Sequence, residues 1–132
     1  MSNSEHERMY RTFRSDCAEN ARQAGVDAAL QGKTNEWLLH SCYYKYSYNF
    51  TWMGRPIIQY PQDMVAMQEL IWEVKPDLII ETGIAHGGSL ILSASMLALI
   101  DYSEAVTSGT PLDPQKSSRR VLGIDIDRKS VV

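Results

Sequence analysis

The 132-residue sequence predicts an α/β domain built on a parallel sheet, and three observations support that fold class. Residues 77–82 and 121–124 are short runs rich in leucine, isoleucine and valine, typical of strands that are buried on both faces of a parallel sheet. A glycine-rich bend and a long apolar stretch separate the two runs. An amphipathic segment precedes the first run. The order helix, strand, bend, helix, loop, strand predicts a β–α–β unit that opens a parallel sheet.

The amphipathic segment is predicted to be a helix over residues 62–74. Pro61 suits the first position of a helix, Asp63 suits the first turn, and Pro76 stops further helix. The side chains expected to face the core recur at helical spacing: Met64, Met67, Leu70, Ile71 and Val74.

The stretch between the two strands predicts a second helix over residues 89–100. It is apolar nearly all round, so we expect it to be covered on several sides. Residues 101–118 contain turn formers without apolar periodicity, and they predict a long connection to the second strand.

The N-terminal part predicts an extension to this domain. Residues 5–31 suggest one or two peripheral helices, broken at Gly25 and closed near Gly32. Residues 44–52 alternate aromatic and polar side chains, which predicts an extended segment with one aromatic face. Such a face either packs on a core or stacks bases or sugars, and the first reading is favoured because the protein is acidic. We therefore divide the chain into an extension, 1–60, and a sheet-bearing domain, 61–132.

Composition excludes several functional classes. The formal net charge of −3 gives no electrostatic case for binding nucleic acid or an anionic membrane. The polar N-terminus predicts no signal peptide, and the apolar residues 90–100 are too few to span a bilayer. Cys17 and Cys42 have no metal-ligand spacing and are expected to be reduced thiols. These features predict a cytoplasmic protein without a membrane span, and homo-oligomerisation is left open.

The glycine bend predicts a ligand site, because parallel sheets bind ligands beyond the carboxyl ends of their strands. Gly83, Gly87 and Gly88 have the spacing of neither a phosphate-binding P-loop, which needs a lysine, nor a dinucleotide fingerprint. An acid, Glu81, precedes the bend. Two acids, Asp125 and Asp127, follow the second strand.

This arrangement suits an adenosyl ligand that is not anchored by a pyrophosphate. Glu81 and the loop backbone are suited to the amino-acid part of S-adenosylmethionine, and Asp125 or Asp127 is suited to the ribose hydroxyls. A nicotinamide cofactor also presents a ribose, so an NAD-dependent oxidoreductase with a degenerate fingerprint is the first alternative. A non-catalytic remnant or regulatory module is the second.

Two stretches carry a resemblance to a known family. The motifs W-x-G-x-P, Q-x-P-x-D and E-T-G-x-x-x-G-G-S between residues 52 and 89, together with "VLGIDID", resemble the cephalosporin hydroxylase family. That family includes rhamnosyl O-methyltransferases and has the Rossmann-like fold of class I S-adenosylmethionine-dependent methyltransferases. The resemblance implies a cofactor site made of Glu81, Gly83, Ala85, His86, Gly87, Gly88, Ser89 and Asp125.

The resemblance also implies an activity, transfer of a methyl group to a hydroxyl of a small molecule or glycan, with assistance from Mg²⁺. Asp127 is the candidate metal ligand. From its place inside the bend, His86 is a candidate proton acceptor, and a role in packing the loop or beside the adenine is the favoured alternative. The family's sheet has more strands than the two predicted here. We therefore expect this chain to be the N-terminal portion of the domain, truncated after the second strand, and a partial or inactive form.

Overall fold

The computed structural model describes residues 3–126 and contains two compact units, residues 1–44 and 45–132. The first unit is helical, and the second contains both sheets and the glycine bend. The aromatic segment thus belongs mostly to the sheet-bearing unit. The domain division between residues 60 and 61 stays a prediction.

Two helices form the first unit, α1 (Asn3–Val26) and α2 (Ala28–Tyr43). They meet at Asp27, whose Oδ1 accepts hydrogen bonds from the backbone N–H of Ala29 at 2.9 Å and Leu30 at 3.0 Å. This side chain caps α2, so the break lies at Asp27 and the predicted break at Gly25 is wrong. Gly32 lies inside α2, so the predicted end near it is wrong as well.

The aromatic segment is extended only in its second half. Lys45 has a left-handed backbone (φ 52°), and Tyr46–Tyr48 form a 3₁₀ turn, so the predicted alternation fails there. Strand β1 (Phe50–Trp52) then pairs antiparallel with β2 (Arg55–Ile57). The two residues between them have positive φ, as the tight turn of a hairpin requires.

Helix α3 (Pro61–Val74) confirms the helix predicted at residues 62–74. Its first residue is the proline whose missing N–H is harmless at that position. Lys75 ends it in a left-handed conformation (φ 48°), with its N–H donating to the carbonyl oxygen of Ile71 at 2.9 Å.

A β–α–β unit follows, as predicted: β3 (Leu78–Thr82), α4 (Gly88–Ser108) and β4 (Arg120–Ile124). The two strands are parallel, with Leu78 opposite Arg120 and Thr82 opposite Ile124. Helix α4 continues eight residues past the predicted end at residue 100, so the connection predicted from residue 101 is wrong up to residue 108. No glycine or proline interrupts the chain until Gly109, which caps the helix with φ 67°.

The extra turns of α4 change one expectation about membranes. The helix has 21 residues and a mean hydropathy of 1.4 over its most apolar window, so its length and composition allow it to cross a bilayer. The shortness of residues 90–100 is therefore no argument against a span. Core helices of soluble proteins can have the same length and composition. In this structure α4 packs on α3 and on the sheet.

The core lies between the two helices and one face of the sheet. Ile71, Leu97 and Ile100 are buried, and Ile79, Met96 and Val121 pack against them. The sheet was predicted to be buried on both faces, and that prediction is wrong for this structure. The apolar side chains of the other face are 49% to 57% exposed: Leu78, Ile80, Leu122 and Ile124.

An ion-pair network fixes the loop between α4 and β4. The guanidinium of Arg119, whose side chain is 12% exposed, donates to the carboxylate of Asp101 and, at 3.0 Å, to that of Glu104. Burial alone raises the pKa of Asp101, but hydrogen bonds from Ser117 and Arg119 and the charges of Arg119 and Arg120 outweigh it and lower that pKa.

Candidate functional site

The glycine bend, residues 83–87, lies at the carboxyl end of β3 and opens into a cavity of about 450 Å³. That volume is in the range of small-molecule sites. The cavity brings together most of the residues predicted to bind a cofactor: Glu81, Gly83, Ala85, His86, Gly88 and Ser89. The remaining two, Gly87 and Asp125, lie beside it and do not line it.

The bend has a backbone that glycine makes possible. Gly83 and Gly87 have φ of 76° and 79°, in the left-handed region that other residues rarely adopt. Gly83 donates to the carbonyl of Ile124 at 2.8 Å, and Gly87 to that of Ile84 at 2.7 Å. Ala85 also has positive φ (43°), which costs energy in a residue with a Cβ, so the surrounding contacts hold the bend in a strained shape.

Helix α4 begins directly after the bend without a side-chain cap. Its N-cap is Gly87, which has no side chain to accept a hydrogen bond from the first turn. The first backbone N–H groups of a helix have no partner within the helix, and the dipole makes that end positive. The start of α4 is therefore suited to an anionic group, and Gly88 and Ser89 at this start line the cavity.

A carboxylate lies beside this positive helix end. Glu81, on the face of β3 that points toward α4, accepts a hydrogen bond from the Ser89 hydroxyl through Oε1. The bond ties the end of β3 to the first turn of α4. Both residues line the cavity, so an acid and a helix N-terminus lie side by side there.

Asp125 holds the bend from the neighbouring strand. Its Oδ2 accepts a hydrogen bond from the backbone N–H of Ile84 at 2.8 Å, and Ile84 is buried. The predicted ribose-binding acid thus has a direct role in fixing the loop, while a contact with ribose stays a prediction. Asp127, the predicted metal ligand, lies outside the described residues. Within residues 3–126 no group of three or more His, Cys, Asp or Glu side chains is placed to hold a metal ion.

The β1–β2 hairpin forms a wall of the site that the sequence reasoning missed. Gly88 packs so tightly on Pro56 and Ile57 that an added Cβ would lie 2.7 Å from the Cβ of Ile57. Trp52 Nε1 donates to Ser95 Oγ of α4 at 3.0 Å, and Arg55 Nη1 lies 3.5 Å from the His86 carbonyl oxygen. In the sequence, only the W-x-G-x-P motif marked these residues as part of a site. The alternation of aromatic and polar side chains in this segment does not indicate a contact with α4.

Side chains that follow the hairpin, together with others on α3 and α4, complete the cavity. Gln59 and Asp63 line it with polar groups, and Met64, Met67 and Leu92 give it an apolar floor. Asp63 was predicted only as a first-turn residue of α3, and it is also a cavity residue.

Comparison with known proteins gives one match. Neither the curated proteins nor the solved structures contain a match to the chain. The family model described as rhamnosyl O-methyltransferase/CmcI matches residues 44–131, which include the hairpin, the bend and both strands of the parallel sheet. That match covers more than half of the chain and confirms the resemblance drawn from the W-x-G-x-P and E-T-G-x-x-x-G-G-S motifs. The chain therefore belongs to the rhamnosyl O-methyltransferase/CmcI family, a family of methyltransferases.

Proposed function

We propose that this chain binds S-adenosylmethionine in the cavity at the glycine bend and serves methyl transfer to a hydroxyl group of a small molecule or glycan. One observation carries the proposal, the uncapped N-terminus of α4 lying beside the Glu81 carboxylate in a single cavity. The family match supports a methyltransferase function in general.

The residues present fit the amino-acid end of this cofactor. A ligand carboxylate is suited to the backbone N–H groups at the start of α4, where the helix dipole is positive. A ligand ammonium is suited to Glu81, and Ser89 orients that carboxylate by its hydrogen bond. Both groups are charged in the amino-acid part of S-adenosylmethionine, so the site offers one partner to each.

The cofactor supplies a methyl group on a positively charged sulfur, which makes the methyl carbon electrophilic. The chain's contribution is to hold the donor in one orientation, since positioning supplies much of the rate in a transfer of this kind. The described residues do not offer a donor set for Mg²⁺.

Spacing of the glycines argues against the nicotinamide alternative. A pyrophosphate needs several backbone N–H groups along a G-x-G-x-x-G turn, and this bend has Gly83, Gly87 and Gly88 instead. The pyrophosphate of NAD is also negatively charged. Binding at the bend would place it next to the carboxylate of Glu81, and the two like charges would repel.

Isothermal titration of the purified chain with S-adenosylhomocysteine and with NAD tests the proposal. We expect S-adenosylhomocysteine to bind and NAD not to bind. We expect Glu81→Gln to weaken S-adenosylhomocysteine binding about tenfold, because the ammonium loses a charged partner. Glu69→Gln, which removes an exposed acid of α3 outside the cavity, is the matched control.

Binding of NAD in preference to S-adenosylhomocysteine would refute the methyltransferase assignment of the site. Absence of binding by either ligand would support the non-catalytic alternative instead.

A further inference from the structure

The described lining of the cavity at the glycine bend contains two acidic side chains and no lysine or arginine. Two carboxylates line it, Glu81 from β3 and Asp63 from the first turn of α3. Among the described residues, neither lysine nor arginine lines it. A cavity of this charge favours a ligand with net positive charge.

The two acids differ in their surroundings. Glu81 accepts a hydrogen bond from Ser89, and the proposed function assigns it to the ligand ammonium. Asp63 is exposed, lines the same cavity, and makes no ion pair with a residue that the structure describes. Its negative charge is therefore not cancelled by a neighbouring cation.

The distances within the cavity are short enough for this charge to act on any ligand there. A volume of about 450 Å³ corresponds to a space about 10 Å across, which equals the Debye length of about 10 Å at 0.1 M salt. Asp63 thus interacts with a charge anywhere in the cavity before solvent ions screen it fully.

We propose that Asp63 makes the cavity select the positively charged methyl donor over its neutral demethylated product. This inference rests on the proposed function. S-adenosylmethionine and S-adenosylhomocysteine share an adenosyl group, an ammonium and a carboxylate, and they differ in the sulfonium charge. The start of α4 and Glu81 meet the shared groups, so the second carboxylate distinguishes the two ligands. Such a site binds the donor and releases the product after the charge is lost.

Titration calorimetry with both ligands on the wild type and on Asp63→Asn tests the inference. The measured quantity is the ratio of the dissociation constants, S-adenosylhomocysteine over S-adenosylmethionine. We expect the ratio to exceed one in the wild type and to fall about fivefold in Asp63→Asn, the effect of one partly exposed charge. The change should come from weaker S-adenosylmethionine binding, and it should shrink in high salt.

Two further variants control the experiment. Glu69→Gln removes the same charge from the same helix outside the cavity, and we expect it to leave the ratio unchanged. Gln59→Glu adds a carboxylate to the lining of the same cavity, and we expect it to raise the ratio. Circular dichroism and thermal melting establish that each variant is folded. Gln59→Glu also keeps the test decisive where Asp63→Asn loses its fold.

The outcomes separate this inference from the proposed function. If the wild type binds both ligands and the ratio does not respond to Asp63→Asn or Gln59→Glu, the inference is overturned and the proposed function stands. An equal loss of affinity for both ligands in Asp63→Asn also overturns it, because that result indicates a structural role. If the wild type binds neither ligand, the proposed function fails, and the inference fails with it.

Discussion

Gly88 is the residue of the site that packs most tightly against the β1–β2 hairpin. It is the first residue of α4, it is buried, and its Cα faces the β2 strand. A Cβ built there lies 2.7 Å from both the Cβ of Ile57 and the carbonyl carbon of Pro56, with the Pro56 oxygen nearer still. We predict that Gly88→Ala destabilises the sheet-bearing unit.

The size of the effect follows from what has to move. Carbon atoms prefer separations of about 3.5–4.0 Å, so the strand and the helix must separate by about 1 Å. Pro56 is backbone-paired with Thr51 in the hairpin, and Ile57 is 1% exposed, so neither can turn aside. Overpacking of this kind costs about 1–3 kcal/mol, and the better helix propensity of alanine recovers at most about 1 kcal/mol of it. We expect a net loss of about 1–2 kcal/mol.

Urea unfolding followed by tryptophan fluorescence measures this loss. Trp52 and Trp72 both lie in the sheet-bearing unit, so its unfolding is visible. With a urea dependence of about 1–3 kcal/mol per molar, the midpoint should fall by about 0.3–2 M.

Two other glycines serve as controls for Gly88→Ala. Gly123→Ala places its Cβ 2.8 Å from Ile84 Cγ2 and from the Leu90 side-chain end, and near no backbone atom, so we expect a smaller loss. Gly32→Ala in α2 meets nothing within 4 Å and gains helix propensity, so no loss is expected. A Gly88→Ala midpoint equal to that of the wild type would refute the claim that the hairpin packs on the start of α4.

Two more predictions concern the contacts around α4. Trp52→Phe removes the 3.0 Å hydrogen bond to Ser95. A double-mutant cycle with Ser95→Ala, measured by urea unfolding, should therefore give a coupling free energy of about 1 kcal/mol. Additive effects of the two substitutions would exclude the bond. The folded-state pKa of Asp101 is lowered, so its contribution is present above its unfolded pKa and is lost as pH falls through the folded value. Acid titration of stability should therefore show a decline below about pH 4 that Asp101→Asn flattens, and an unchanged decline in that variant would refute the role of the Arg119 pair.

The elements predicted from the sequence are those whose formation is determined by the residues within them and at their ends. Helix α3 and the two parallel strands follow from local apolar patterns bounded by prolines and glycines, and the structure has them within one or two residues. The family also followed from short motifs, and the match over residues 44–131 confirms it. In the cavity, six of the eight predicted cofactor residues come together.

The errors have causes that lie in other parts of the chain or in single side chains. Helix α4 continues to its cap at Gly109, and Asp101 and Glu104 in its second half pair with Arg119, fifteen or more positions away, which periodicity does not reveal. The break before α2 depends on one capping side chain, Asp27. The wall formed by Pro56 and Ile57 depends on a contact with Gly88 between elements that are distant along the chain.

The contacts that shape the bend are all supplied by the segment that carries the family match. Asp125 holds Ile84 from the position after β4, Glu81 holds Ser89 from β3, and the hairpin packs on Gly88. None of these contacts involves the outer face of the sheet, whose apolar side chains are half exposed. Because the bend is fixed from the α4 side of the sheet, its geometry does not depend on what covers the other face. We therefore expect the bend to keep this geometry whatever lies on the outer face of the sheet.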